Sequence, residues 1–291
     1  MDLWTHLSQR LADEARQRVE PHAERRGGGC INGAAVLGRA PVRYFVKYNR
    51  AARLSMFEAE AAGLRELARA ARVPRPICSG VFADQAYLLL EYIDFGPGST
   101  AAYRRLGEAL ARLHSVEGPY YGWTRDNTIG STPQPNPPSE DWWGFFGEHR
   151  LGHQLRLVAR NGYGGAWLKA GERLAARLHR LFPGPAPRPA LLHGDLWAGN
   201  VGFDACGNPV LFDPACHYGD PCSDLAMSEL FGGFPAAFYA SYQARSPLPE
   251  DYPRRRDLYQ LYHVLNHLNL FGGAYLGQAR RLMERLLAAM A

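Results

Sequence analysis

Residues 193–200 read His193-Gly194-Asp195-Leu196-Trp197-Ala198-Gly199-Asn200, and a short way on the chain reads Leu211-Phe212-Asp213. The pattern is H-x-D-x-x-x-x-N followed by an apolar-apolar-Asp strand end, the arrangement of a phosphoryl-transfer site. Such a reaction asks the protein for little covalent chemistry. It needs positioning, a proton acceptor for the attacking hydroxyl, and cations on the phosphates. Asp195 supplies the acceptor, an effect of about 10²–10⁴ in rate. Asn200 offers a neutral oxygen ligand and Asp213 an anionic one, and hard oxygen ligands suit Mg²⁺. A lone Asp is commonly a cap or turn residue. Three polar residues at these spacings between two short apolar runs ask for more, and they imply a kinase using ATP and Mg²⁺.

The rest of the chain is compatible with such a site. Its 291 residues suit two lobes sharing a cleft, and 46% apolar with 21% charged residues is ordinary for a globular protein. The excess of 33 basic over 28 acidic residues is scattered rather than gathered into basic runs. That speaks against nucleic-acid binding and for a mild attraction to anionic ligands such as nucleotides. No apolar stretch approaches the ~20 residues that span a bilayer, and Met1 to Arg18 is charged and helix-forming, without a signal-peptide core. Five irregularly spaced cysteines suggest neither a disulfide framework nor a zinc site, so a cytoplasmic location is expected.

Periodicity divides the chain. Arg43 to Tyr48 alternates, with Tyr44, Val46 and Tyr48 on one face and Phe45 and Lys47 on the other, as a half-buried strand does. Ser55 to Arg72 carries Phe57, Ala61, Leu64, Leu67 and Ala71 on one helical stripe, ended by Val73-Pro74-Arg75-Pro76. Val81-Phe82 and Tyr87 to Tyr92 suggest a hairpin. Beyond Gly96-Pro97-Gly98 the character is helical: Ala101 to His114, Trp142 to Leu157, Ala166 to Leu181, and most of the chain after Val210-Leu211-Phe212. Ser131 to Pro138 is Pro-rich and reads as an irregular loop. The expected fold is α+β, a two-lobed protein-kinase-like arrangement. A β-rich N-lobe with one main helix (residues 1–91) precedes a mostly helical C-lobe (92–291).

HGDLWAGN with LFDPACHYGD resembles the fructosamine/ketosamine-3-kinase family, a branch of the aminoglycoside- and choline-kinase-like group. The resemblance extends over Gly27 to Asn32, Phe45 to Arg50, Met56 to Glu60, Val73 to Pro76, Phe231-Gly232-Gly233-Phe234, and Leu265-Asn266-His267 with Phe271, Gly272 and Tyr275. It implies phosphorylation of the 3-hydroxyl of sugar–amine adducts, fructosamine or ribulosamine on a small amine or a protein lysine. The product then breaks down and frees the amine. Asp-Pro-Ala at 213–215 is this family's form of the metal-binding motif.

On the nucleotide side, Gly28, Gly29 and Cys30 can bring backbone N–H groups close to phosphate, because glycine has no Cβ in the way. Lys47 would meet the α- and β-phosphates as a point charge. Kinase-like folds hold this lysine with a helix glutamate, for which Glu58 and Glu60 both qualify. Ser55-x-x-Glu58 reads as a capping box, so Glu60 is preferred. The resemblance implies that backbone groups from Glu91 to Ile93 meet adenine. On the acceptor side Trp197 offers a flat wall to a sugar-derived substrate, and the resemblance places His267 and Tyr275 beside it. Asp224 reads as an anchor beneath the catalytic loop. Oxidation of Cys30 could obstruct ATP or link two subunits, so monomer and homodimer both stay open. The competing readings are a kinase of another small hydroxyl compound, of aminoglycoside, choline or homoserine type, and a catalytically inactive kinase-shaped binding module.

Overall fold

The computed structural model describes residues 1–27 and 31–290. Gly28, Gly29 and Cys30, expected at the phosphate loop, lie outside the described residues, and with them the redox role considered for Cys30.

Helix α1 (Leu3–Ala15) begins at Asp2, whose carboxylate accepts from the Thr5 N–H. An antiparallel sheet follows: β1 (Ala23–Arg26), β2 (Gly33–Arg39), β3 (Val42–Arg50), then, after α2 (Leu54–Leu67), β4 (Pro76–Phe82) and β5 (Gln85–Glu91), in spatial order β1-β2-β3-β5-β4. Alternation decides what each face meets. Tyr44, Val46, Tyr87 and Leu89 pack with Leu3, Leu7 and Leu11 of α1. Leu88 and Leu90 point the other way and join Met56, Phe57 and Leu64 of α2. Lys47 follows the alternation onto the α2 side, where Glu60 awaits it.

After β6 (Phe95–Gly96) the chain turns helical with α3 (Thr100–His114), capped by Ser99. The hairpin β7 (Asn127–Ile129) and β8 (Thr132–Gln134) comes next, then α4 (Trp142–Phe145), a π-helical stretch Phe146–Gly152, α5 (His153–Arg160), α6 (Ala166–Ala175) and α7 (Leu178–Leu181). Strands β9 (Ala190–Leu192), β10 (Val201–Asp204), β11 (Pro209–Leu211) and β12 (His217–Gly219) frame the sequence motif, and α8 (Cys222–Leu230), α9 (Ala236–Gln243), α10 (Tyr252–Phe271) and α11 (Leu276–Ala288) complete the lobe. Strand β9, paired with β12, leads into the Asp195 loop, while β10 and β11 form the hairpin between Asn200 and Asp213. The molecule is the two-lobed α+β arrangement. No helix among the described residues is long and apolar enough to cross a membrane.

Four local expectations need correction. Residues 132–134 are not irregular: they pair with β7. The two-residue turn Gly130-Ser131 puts Ile129 and Thr132 at the closing, bonded pair, so Pro133 opposite Thr128 forfeits no ladder bond. Helix α2 ends at Leu67, and Ala68 to Ala70 form turns that swing Arg72 toward β5. The Ser55–Glu58 capping box does not form, because a 3₁₀ turn (Ala51–Arg53) runs straight into the helix and Ser55 is already inside it. Ala166 to Leu181 is two helices, broken at Ala176-Arg177.

Candidate active site

One cavity of about 820 Å³ between the lobes is lined by Lys47, Glu60, Glu91, Ile93, Asp195, Trp197, Asn200, Asp213 and His267, among others. Tyr275 is not in that lining.

The catalytic loop has little regular structure, only a 3₁₀ turn at Ala198–Asn200, and is held by side chains instead. The fully buried Asp224, in the first turn of α8, accepts from the N–H groups of His193 (2.7 Å) and Gly194 (2.8 Å) and from His114 Nε2 (3.2 Å). Burial pushes the Asp224 carboxyl up, but His114, His193 and the Gly194 N–H outweigh it and hold it below the usual value. His193 Nδ1 accepts from the Asp195 N–H (3.2 Å), so its Nε2 donates to the Phe212 carbonyl (2.9 Å). That imidazole ties the Asp195 loop to the residue before Asp213. Gly194 is required here. Its φ is +83°, and a Cβ would stand 2.1 Å from the Ala215 carbonyl oxygen.

Asn200 donates from Nδ2 to the Asp195 carbonyl (2.8 Å) and to its carboxylate (3.2 Å). Its amide oxygen is thereby freed to serve as a ligand. Asp195 is raised to about 7, first by burial and then by the charge of Asp213, with the Asn200 hydrogen bond opposing. Asp213 adopts φ +56°, a left-handed conformation uncommon outside glycine and characteristic of strained functional positions. Its carboxylate accepts from Lys47 Nζ, which also donates to Glu60 (2.7 Å). Burial alone would lower the Lys47 ammonium; Asp213 and Glu60 together hold it above its ordinary value. Glu58 instead lies 3.7 Å from Arg125 on the surface. The hard oxygens of Asn200 and Asp213 suit Mg²⁺.

At the linker, the Glu91 carboxylate is gripped by Arg72 (2.9 Å to Oε2, with a second contact to Oε1) and by the Arg75 N–H (3.1 Å). The Glu91 N–H is spent on the Arg75 carbonyl (2.9 Å). Phe95 stacks on Phe212 (centroids 5.5 Å apart), and both rings line the cavity.

The end of the cavity that holds Trp197 is aromatic. The Trp197 indole lies over Gly199, where a Cβ would meet it at 2.3 Å, and it leaves 37% of its surface exposed. Phe231 sits edge-on to Trp197 (6.1 Å) and against His267 (4.8 Å). His267 Nδ1 donates to the His263 carbonyl (2.8 Å) and burial lowers its pKa, so Nε2 is a bare acceptor. Tyr275 packs against His267 (ring centroids 5.2 Å apart) and is not among the residues lining the cavity.

The sequence model of the fructosamine kinase family matches residues 3–289. This chain belongs to the fructosamine kinase family. A Synechocystis protein named as a ketoamine kinase is 46% identical, over 98% of this chain and 97% of its own. The chloroplastic protein-ribulosamine 3-kinase of Arabidopsis thaliana is 44% identical over 89% of this chain and 80% of its own. Among solved structures, one described as a fructosamine-3-kinase from Haemophilus somnus superposes with a TM-score of 0.89 at 30% identity, covering 98% of this chain and 100% of that one. An aminoglycoside phosphotransferase crystallised with AMP-PNP and hygromycin B shares the fold, with a TM-score of 0.63 at 16% identity over 98% of both chains.

Several cavity residues of this fructosamine kinase family member escape a motif search. Phe95, Thr128, Ile129, Gly130 and Leu270 line the site from the two-residue strand β6, a short hairpin and the far end of α10. For Phe95 the one available signal is its place directly after the linker.

Proposed function

We propose that this protein transfers the γ-phosphoryl group of ATP to the sugar 3-hydroxyl of ketosamines, fructosamine- or ribulosamine-type adducts of a small amine or a protein lysine. The observation that carries this is the meeting, in one cavity, of a half-buried carboxylate at Asp195 with an aromatic, hydrogen-bonding wall of Trp197 and His267. Asp195 takes the hydroxyl proton as the sugar oxygen bonds to phosphorus and the bond to the leaving ADP oxygen breaks. Its elevated pKa makes it a better base than a surface carboxylate, and Asn200 fixes its direction. Lys47, aligned by Glu60, neutralises phosphate charge. Asn200 and Asp213 would hold Mg²⁺, which supplies further positive charge at the phosphates. With the Glu91 N–H already engaged, Ile93 supplies the backbone donor for adenine. His267 Nε2 accepts from a sugar hydroxyl. The phosphorylated adduct, being unstable, then releases the amine, a repair of glycation.

The test is Mg²⁺-dependent ATP consumption with a ketosamine. The expected result is turnover in the native protein and none above background with Asp195→Ala. Undiminished turnover in that variant would overturn the assignment, and turnover of an aminoglycoside, choline or homoserine in preference to every ketosamine would move the acceptor class.

A further inference from the structure

Hairpin β7–β8 plays no part in the chemistry above, yet it touches Ile31 of the N-lobe, helix α10 and the loop that follows Asp213. At its tip, Gly130 (φ +61°) lies under two side chains: a Cβ there would be 3.0 Å from Ile31 Cδ1 and 3.0 Å from Leu270 Cδ1. Ile31 flanks the glycine stretch of the N-lobe, and its carbonyl accepts from Asn49 Nδ2 (3.1 Å) on β3, the strand of Lys47. Leu270 stands one turn after His267 on α10.

At its root the hairpin ends in buried polar groups. Asn127 Nδ2 donates to the Cys216 carbonyl (2.7 Å), and Gln134 Nε2 donates to the Ala215 carbonyl (3.2 Å) and to Asn127 Oδ1 (2.8 Å). Both carbonyls belong to the loop that follows Asp213. Tyr262 of α10 donates to Gln134 Oε1 (2.6 Å). Asn136 donates to Asn127 Oδ1 (2.9 Å) and in turn accepts from Arg150 (2.5 Å), which also holds the Pro135 carbonyl (2.6 Å).

Arg150 is 1% exposed, its Nε has no partner, and no carboxylate among the described residues pairs with it. It is fed inward by the π-helical stretch, a local distortion common at functional sites. Apolar side chains would stabilise this region more cheaply than an unpaired cation, so the cluster is better explained by the register it enforces.

We propose that the 127–134 hairpin is a positioning element that clasps the nucleotide-loop flank to the acceptor wall, setting the distance between phosphorus and sugar hydroxyl. The linker joins the lobes covalently and a shared core joins them by packing; the hairpin adds a packed contact at the cleft itself. An in-line transfer tolerates little slack, since displacement by about 1 Å can cost on the order of 100-fold in rate. In its effect on catalysis the proposal rests on the ketosamine reading; its effect on nucleotide-dependent order does not.

The experiment uses the full chain with Ile31→Ala and Leu270→Ala at the tip, and Arg150→Met with Arg150→Lys at the root. Hydrogen exchange at residues 127–134 is measured with and without saturating Mg·AMP-PNP, and kinetics with a ketosamine. Nucleotide is expected to slow hairpin exchange in the native protein and to leave it unslowed in Ile31→Ala. Both tip variants should lose about tenfold or more in kcat while KM for ATP changes by no more than about threefold. Arg150→Met should lose kcat while remaining folded by circular dichroism, with part restored in Arg150→Lys. Equal slowing of exchange in the native protein and Ile31→Ala, or unchanged kcat in both tip variants, overturns the proposal. A native protein that phosphorylates no ketosamine overturns the substrate reading alone, and the exchange comparison still decides the clasp.

Discussion

Asp195 is asked to do two incompatible things. As a base it should be ionised, yet it is half-buried beside the carboxylate of Asp213, and both effects favour its proton. The folded state therefore binds that proton more tightly than the unfolded chain does. The sign follows: Asp195 contributes stability at low pH, and the contribution is lost as pH rises through about 7. Each unit of displacement is worth about 1.4 kcal/mol. Asp195→Asn has no such proton to lose. In metal-free protein its stability relative to the native chain should grow between about pH 4 and 7 and level off above. Urea unfolding in chelator across that range checks this, and a pH-independent difference would remove Asp195 as a strained carboxylate. Asp195, Asn200 and Asp213 could be picked out in sequence as a candidate set because phosphoryl transfer asks for these residue types at this spacing, and the fold brings all three to one cavity. The wall they face was less legible: Tyr275 belongs to the same family pattern as His267, and only the packing shows that His267 lines the cavity while Tyr275 lies against that imidazole.

At the scale of elements, the catalytic loop shows how an almost structureless segment is made rigid. Two of its backbone N–H groups end on one carboxylate at the start of α8. Asp224→Asn keeps the shape but turns an NH₂ toward an N–H donor, so one buried donor goes unsatisfied. The expected cost is about 2–4 kcal/mol in urea unfolding, with a fall in kcat, because hydrogen bonds to a buried charge are worth more than neutral ones. A loss under about 1 kcal/mol would mean that the loop is held by something else. Elements whose side chains obey one period were readable: β3 by its alternation, and α3 by its helical spacing. Those decided by backbone context were not. Pro133 suggests a loop until the two-residue turn places it at a non-bonded pair, and Phe146–Gly152 looks α-helical in sequence, its π-turns being revealed only by where Arg150 must reach.

At the scale of the molecule, the larger hydrophobic core runs through both lobes, joining Met56, Phe57 and Leu64 of α2 to Leu106 and Leu110 of α3 and to Trp142. The smaller cluster, between α1 and the sheet, belongs to the N-lobe alone. A ligand spanning the cleft should therefore stabilise one cooperative unit rather than one lobe. For nucleotide at 100 times its dissociation constant the gain is about 2.7 kcal/mol, or roughly 5–10 °C in Tm at about 2–4 °C per kcal/mol. Mg·AMP-PNP should raise a single thermal transition by that amount in the native protein. Arg72 gives the whole-molecule control. Its guanidinium grips Glu91 at the linker, while its carbonyl accepts from the Leu211 N–H (2.9 Å), two residues before Asp213. Arg72→Ala removes a half-exposed ion pair, which by itself is worth about 1 kcal/mol or less. If that grip is what joins linker to metal strand, the variant should keep its unliganded Tm within a few degrees and lose most of the nucleotide-induced rise. A full rise would show that the linker stands without it, leaving the shared core to couple the lobes unaided.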